Sequence, residues 1–273
     1  MKYWSILMMS ERVDILLVQK GIFPTRTKAQ DAIKAGIVYC DSKKIVKPSC
    51  QLPIESSFEI IGERMAYVSR GGYKLEKAIT LFSINFKNKI VLDIGASTGG
   101  FSDCALQHGA KLVYALDVGS HQLDETLRNH QRVIVFENEN FRYTKKELFK
   151  YGSIDIATID VSFISLQHIL LNLSNIINNF GYAIALIKPQ FEAGKEFLNN
   201  RGIITSKETH QMVIKNVVNY ANQNHFSVEQ LSYSPIKGKD GNIEFISLLQ
   251  LNGRKQINDD TILEVINEAH MML

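Results

Sequence analysis

Cysteine is scarce: Cys40, Cys50 and Cys104 are the only three in 273 residues. They form no C-x-x-C pair, and their odd number suits no closed disulfide framework. Reduced thiols in a cytoplasmic protein are the expectation. Long apolar runs are also missing, since none approaches the ~18 residues of a spanning helix. The opening run Met1 to Met9 carries one cation and leads into Ser10-Glu11-Arg12 without a small-x-small cleavage site. It makes a poor export signal, and Met8 or Met9 is an alternative start. No excess of one charge sign exists: 31 basic against 28 acidic residues leave +3. A mildly basic balance permits a nucleic-acid partner without requiring one. With 45% hydrophobic and 22% charged residues, disorder and coiled coil are excluded. The length suits two domains at about 100–200 residues each.

The chain changes character near Tyr67. Residues 9–66 read as a small basic module, 67–88 as a hinge and first helix, and 89–273 as a large α/β domain. In the small module Val13, Leu16 and Leu17 lead to Lys20-Gly21, a short helix closed by glycine. Thr25 caps a second helix, Arg26 to Ala35, that ends at Gly36. Short strands Ile37–Tyr39 and Lys44–Val46 flank the turn-rich link Asp41-Ser42-Lys43, and Phe58–Ile61 is one more strand. Arg26, Gln30 and Lys34 fall at i, i+4 and i+8 on one helix face, and Lys43, Lys44 and Lys47 follow on the hairpin. Such a cationic side suits a phosphate backbone through counterion release, although a solvated charged face has the same composition. Arg12, Lys28 and Arg70 join Arg26, Lys34, Lys43 and Lys44 as candidate RNA contacts. Arg70 serves equally well as packing at the junction.

From Lys89 onward strand and helix alternate. Apolar runs at Ile90–Ile94, Leu112–Leu116, Val133–Phe136, Ile154–Ile159 and Ala183–Ile187 predict parallel strands covered on both faces. Runs near Ser227–Leu231 and Phe245–Leu251 complete the sheet, and a helix is expected over Gly100–His108. Ligands of such sheets sit beyond the carboxyl ends of the strands. Asp93, Asp117, Asp160 and Lys188 all lie there.

The first strand runs into Gly95-Ala96-Ser97-Thr98-Gly99-Gly100-Phe101. Glycines let the backbone turn sharply and approach a ligand. Ser97 stands where a dinucleotide fingerprint has its second glycine, so a nicotinamide cofactor is disfavoured. Asp93-x-Gly95, with Asp117 placed to accept the ribose hydroxyls of an adenosine, is the arrangement of S-adenosyl-L-methionine binders. The same loop matches G-x-S-x-G, a nucleophile elbow, but no oxyanion loop precedes it and His168, His210 and His225 lie in no recognisable strand-end loop. Asp160-Val161-Ser162-Phe163 lacks the Pro-Pro-aromatic grip of base-amino methyltransferases. Cys104, on the helix after the loop, reads as a buried small residue rather than the thiolate of a pyrimidine C-methylase. Lys74, Asp160, Lys188 and Glu244 remain as the polar set. No metal site is expected.

Two resemblances follow from these residues. Arg12-Val13-Asp14, Leu17, Gly21, Thr25-Arg26, Ala29, Ile33, Gly36-Ile37-Val38 and Lys47-Pro48-Ser49 resemble the S4 RNA-binding domain. Cys40-Asp41-Ser42-Lys43 departs from it, standing where an Asn-Gly turn is common. Lys74, Asp160, Lys188 and Glu244 follow the Lys-Asp-Lys-Glu order of ribose 2′-O-methyltransferases of the FtsJ/RrmJ type. The strings Ser69–Leu75, Asp160–Leu166, Lys188–Gly194 and Ser234–Gly238 closely resemble the TlyA family, often labelled haemolysin. That resemblance covers about Glu11 to Leu251. It implies a Rossmann-like methyltransferase sheet behind an S4 domain, with S-adenosyl-L-methionine as cofactor. It also implies ribosomal RNA, 16S or 23S or both, as partner, methylated on cytidine 2′-hydroxyls in the cytoplasm. By the same resemblance Asn138, in Asn138-Glu139-Asn140-Phe141-Arg142, helps hold adenine. The chemistry assigns Lys188 to the hydroxyl proton, Asp160 to orienting it, and Lys74 and Glu244 to holding the ribose in line. A membrane-lytic protein and an assembly factor with an idle methyltransferase fold are the alternatives.

Overall fold

The computed structural model describes residues 10–61, 66–238 and 240–273. The reading of Met1–Met9 as a poor export signal therefore lies outside the described residues. The chain divides into two compact units, Met1–Arg70 and Gly71–Leu273.

In the first unit β1 (Ser10–Arg12) leads directly into α1 (Val13–Gln19) and then α2 (Arg26–Lys34). The hairpin β2 (Val38–Cys40) and β3 (Lys43–Lys44) is followed by β4 (Gln51–Pro53) and β5 (Phe58–Ile60). Thr25 caps α2 by accepting the Lys28 N–H, as its hydroxyl and position predict. Val13, Leu17, Ala29, Ala32, Ile33 and Val38 close a small core between the two helices and the sheet. The departing turn still forms a tight hairpin. Asp41 and Ser42 take φ of 49° and 61° between paired Cys40 and Lys43, the left-handed pair that a two-residue hairpin demands. Sequence reading missed the β1–β4 ribbon, whose three-residue strands carry almost no periodicity.

The second unit opens with α3 (Gly71–Phe82), β6 (Ile90–Ile94), α4 (Gly100–Gln107) and β7 (Leu112–Leu116). It continues through α5 (Glu125–Arg128), β8 (Val133–Phe136), β9 (Ile154–Ile159), α6 (Leu166–Ile176), β10 (Ile177–Ile187) and α7 (Pro189–Glu192). Then come α8 (Lys207–Gln223), β11 (Phe226–Tyr233), β12 (Phe245–Leu251) and α9 (Asp259–Met272). The seven strands lie in the order β11-β12-β10-β9-β6-β7-β8. Five run parallel from β10 to β8, and their buried Val, Ile, Leu and Ala residues pack against helices. The fold is the expected α/β methyltransferase sheet, with one departure from all-parallel pairing. Strand β12 inserts between β10 and β11 and runs antiparallel to both. Residues 234–244 hold too little chain for a helical crossover, so β12 returns alongside β11 in reverse. That reversal puts the start of β12 at the same rim as the carboxyl ends of the parallel strands, with Ile187 opposite Phe245.

Candidate active site

Each acidic or basic group at this rim is delivered by the residue just beyond a strand. Asp160 follows β9, Lys188 follows β10, and Glu244 precedes the reversed β12, while Lys74 comes from the first turns of α3. All four converge. Lys188 Nζ lies 2.6 Å from Asp160 Oδ1, and Lys74 Nζ lies 2.6 Å from Glu244 Oε2 and 4.0 Å from Asp160 Oδ2. Lys188 also donates to Ser162 Oγ at 3.1 Å. Lys74, Lys188 and Glu244 are buried, whereas 22% of the Asp160 side chain stays open. Burial pushes the Asp160 carboxyl up, but the pull of Lys74 and Lys188 together outweighs it and holds the group below the usual carboxylate range. Asp160 is therefore the ionised hinge of the group, shared by two lysines and facing outward.

Close backbone approach keeps the cluster tight. Gly238, in the loop before β12, passes so near Glu244 that a Cβ there would lie 2.5 Å from Oε1. Behind Lys188, Glu192 accepts from Ser165 Oγ at 2.6 Å and from the Leu166 N–H at 2.8 Å. The loop after β10 is thereby tied to the start of α6, and burial raises the Glu192 carboxyl.

Beside the cluster a cavity of about 310 Å³ opens between the ends of β6, β7 and β9. Gly95, Ser97, Asp117 and Asp160 line it, together with Val118, Gln122, Asn140, Phe141 and Phe163. Gly95 takes φ +83°, and a Cβ there would sit 2.7 Å from the Asp160 carbonyl oxygen. Only glycine lets the two strand ends close that far. The loop spends its own N–H groups internally: Gly95 and Ala96 donate to Leu116 O, and Ser97 to Asp117 Oδ2 at 2.8 Å. Asp117 also accepts the Gly119 N–H at 2.7 Å through Oδ1. An ionised carboxylate has about four lone-pair sites, so both oxygens retain acceptor capacity toward the cavity.

The remaining expected cofactor residues stand behind this wall. Asp93 is fully buried and accepts from Ser102 Oγ at 2.6 Å and Thr158 Oγ1 at 2.9 Å. It ties α4 and β9 to β6, and burial pushes its carboxyl up to about 6. Thr98 accepts the Asp124 N–H through its carbonyl, while Ala96, Gly99, Gly100 and Phe101 are buried. Asn138 is exposed, with φ of 55°, and donates its N–H to Gly119 O. Its neighbour Asn140 lines the cavity instead. Ser97 Oγ faces Gln122 Oε1 at 3.3 Å rather than a histidine, unlike a hydrolase nucleophile. Cys104 is buried, its sulfur 3.6 Å from His108 Nδ1.

Phe163 and Ser162 had no role in the sequence reading. Phe163 is 90% exposed at the cavity edge, takes φ of 63°, and its ring lies 4.9 Å from that of Phe191. The available signal was an aromatic in a strand-end loop.

The cationic face of the first unit is organised around one anion. Asp14 is fully buried and accepts from Arg12 Nε at 2.9 Å, Arg12 Nη2 and Arg26 Nη2 at 3.0 Å, and Gln30 Nε2 at 2.6 Å. The Arg12 guanidinium, against a smaller burial cost and with help from Gln30 and Arg26, holds this carboxyl far below its usual range. The two arginine side chains remain 35% and 53% exposed. Lys34, Lys43 and Lys44 are exposed, Arg70 is half-buried, and Lys28 lines a small apolar cavity with Phe23 and Tyr67.

Sheet order and rim together define a methyltransferase-type site, preceded in the chain by a helix-and-hairpin unit. Residues 67–251 match the model of the FtsJ-like methyltransferases and residues 11–54 that of the S4 domain. YqxC of Bacillus subtilis, named as a proposed rRNA methyltransferase, is 45% identical over 96% of this chain and 95% of that one. The 16S/23S rRNA (cytidine-2′-O)-methyltransferase TlyA of Mycobacterium tuberculosis is 32% identical over 94% and 96%. A solved structure of a proposed hemolysin from Streptococcus thermophilus superposes with a TM-score of 0.79 at 44% identity, covering 97% of each chain. The chain belongs to the TlyA family, which joins an S4 domain to an FtsJ-like methyltransferase.

Proposed function

We propose that this protein is an S-adenosyl-L-methionine-dependent ribosomal RNA methyltransferase that modifies the 2′-hydroxyl of cytidine ribose. The observation that carries the reading is the contact chain Glu244–Lys74–Asp160–Lys188 at the edge of the Gly95–Asp117 cavity. The cavity residues fit the cofactor: Asp117 has acceptor capacity for ribose hydroxyls, and Val118 and Phe141 offer apolar walls to a flat base. When bound there, the cofactor supplies a methyl group on a sulfonium.

The protein's own groups then handle the oxygen. Asp160 Oδ1 holds Lys188 Nζ at 2.6 Å. Lys188, fixed in this way, orients the 2′-oxygen and its proton. With the cofactor bound, its sulfonium methyl would be the electrophile for the oxygen that Lys188 and Asp160 hold, and the hydroxyl proton would pass to water. Lys74, anchored by Glu244, holds Asp160 from the other side. Alignment of this kind is worth several kcal/mol, since oriented groups reach effective molarities on the order of 10⁵ M or more. The S4 unit supplies RNA affinity through Arg12, Arg26, Lys34, Lys43 and Lys44, while Phe163 offers a face for the target base to stack on. The relatives named for methylation of 16S and 23S rRNA support this substrate.

Methyl-labelled cofactor, deproteinised rRNA and purified subunits test the reading, with 2′-O-methylation mapped at nucleotide resolution. Parent protein that transfers no label to either RNA would overturn it. Among the described residues no helix is long and apolar enough to cross a membrane.

A further inference from the structure

Between the wall of the cavity and the start of β9 the chain makes two single-turn 3₁₀ segments, Phe141–Tyr143 and Lys146–Leu148. Phe141 and Phe149 turn inward and are buried. Arg142, Tyr143, Lys145, Lys146, Lys150 and Tyr151 turn outward and are exposed, Tyr143 at 71% and Tyr151 at 70%. Four cations thus share the surface with one carboxylate, Glu147. Among the described residues none of the four is in an ion pair.

The scaffold beneath is fixed. Asn172 donates to the carbonyls of Phe141 at 2.6 Å and Thr144 at 2.9 Å. Thr144 Oγ1 donates to Glu139 Oε1 at 2.8 Å, and the Tyr151 N–H donates to Tyr114 Oη at 2.7 Å. Arg142 lies over the Tyr143 ring, 5.4 Å from its centroid. A large aromatic left in water beside unpaired cations has no packing role here. Interleaved cations and aromatic faces are what single-stranded nucleic acid uses, phosphates on the charges and bases on the rings. The segment also continues directly from Asn140 and Phe141, which line the cavity.

We propose that this surface is a second RNA contact, on the methyltransferase unit, that grips the single-stranded rRNA flanking the target nucleotide. The inference rests on the proposed rRNA substrate. Arg142, Lys145, Lys146 and Lys150 neutralise phosphates, and Tyr143 and Tyr151 stack on bases.

Binding of the full chain to deproteinised 16S and 23S rRNA, from about 50 to about 300 mM KCl, tests it. The K145A/K146A/K150A variant is expected to raise Kd about tenfold at low salt and to flatten the log–log salt slope by about 2, near 0.7 per lost phosphate contact. Tyr143→Ala is expected to raise Kd about fivefold or more and leave that slope unchanged. Cofactor affinity and thermal unfolding stay at parent values in each, and a Lys→Gln triple serves if the alanine triple does not fold. Affinity and slope within about twofold of parent would overturn the proposal. Loss confined to intact subunits would overturn it as well, because it would mark a ribosomal protein as the partner. Parent protein that binds RNA but methylates none would sink the catalytic reading and leave this surface standing.

Discussion

Asp93→Asn removes one charge from the interior of the methyltransferase unit while keeping the side chain's shape. Asp93 is fully buried, both its oxygens are taken by Ser102 and Thr158, and its carboxyl is raised from 3.8 to about 6. A raised value means that the folded state holds the proton more tightly than the unfolded chain. The stability contributed by this group is therefore full below about pH 4 and is lost as pH rises through about 6. Two units at about 1.4 kcal/mol each make the loss about 3 kcal/mol. Asparagine mimics the neutral acid, and the two hydroxyls can turn to meet its amide. The variant should gain about 2–3 kcal/mol over the parent at pH 7.5 and nothing at pH 3.5. Denaturant unfolding at a series of pH values measures this directly. Cofactor affinity should stay within about threefold of parent, because Asp93 stands behind the loop rather than in the cavity. A variant less stable than parent at pH 7.5 would refute the burial argument. A tenfold loss of cofactor affinity at unchanged stability would instead make Asp93 a cofactor ligand.

Lys188→Ala and Asp160→Asn should each lower methyl transfer to rRNA by about a hundredfold to a thousandfold, the scale of a lost preorganised electrostatic contact. Cofactor Kd by calorimetry should stay within a few fold, and parent turnover from either would break the assignment. Asp117→Ala should do the reverse, weakening cofactor binding about tenfold or more while leaving RNA affinity unchanged in filter binding. Gly95→Ala should cost about 2 kcal/mol or more in unfolding experiments, since φ is +83° and a Cβ would meet the Asp160 carbonyl at 2.7 Å. Its transfer rate should fall further than its stability explains, because the displaced strand end carries Asp160.

The parallel strands were legible because apolar runs of four to six residues followed by glycine, an acidic residue or lysine have few other uses. Strands Ile90–Ile94, Leu112–Leu116, Val133–Phe136 and Ile154–Ile159 were found with their limits. What stayed hidden was side-chain pairing across the fold. Arg12 and Arg26 look like two free cations in sequence, and only coordinates show that buried Asp14 holds both. Asn138 and Asn140 are indistinguishable by type and spacing, yet a left-handed turn at Asn138 sends it outward and brings Asn140 to the cavity.

Glu244 shows how far topology decides chemistry. It precedes its strand, whereas Asp160 and Lys188 follow theirs, so in an all-parallel sheet Glu244 would lie a full strand length from both. Seven residues at about 3.3 Å each put that separation at ~23 Å. Lys74 would then lose its 2.6 Å partner and keep only the longer 4.0 Å approach to Asp160 among the carboxylates of the cluster. Reversing β12 sets Glu244 beside Lys74, which in turn reaches Asp160. The antiparallel strand is thus a requirement of the four-residue cluster. A Glu244→Gln variant that kept parent stability and parent transfer rate would show that the cluster does not need its fourth member.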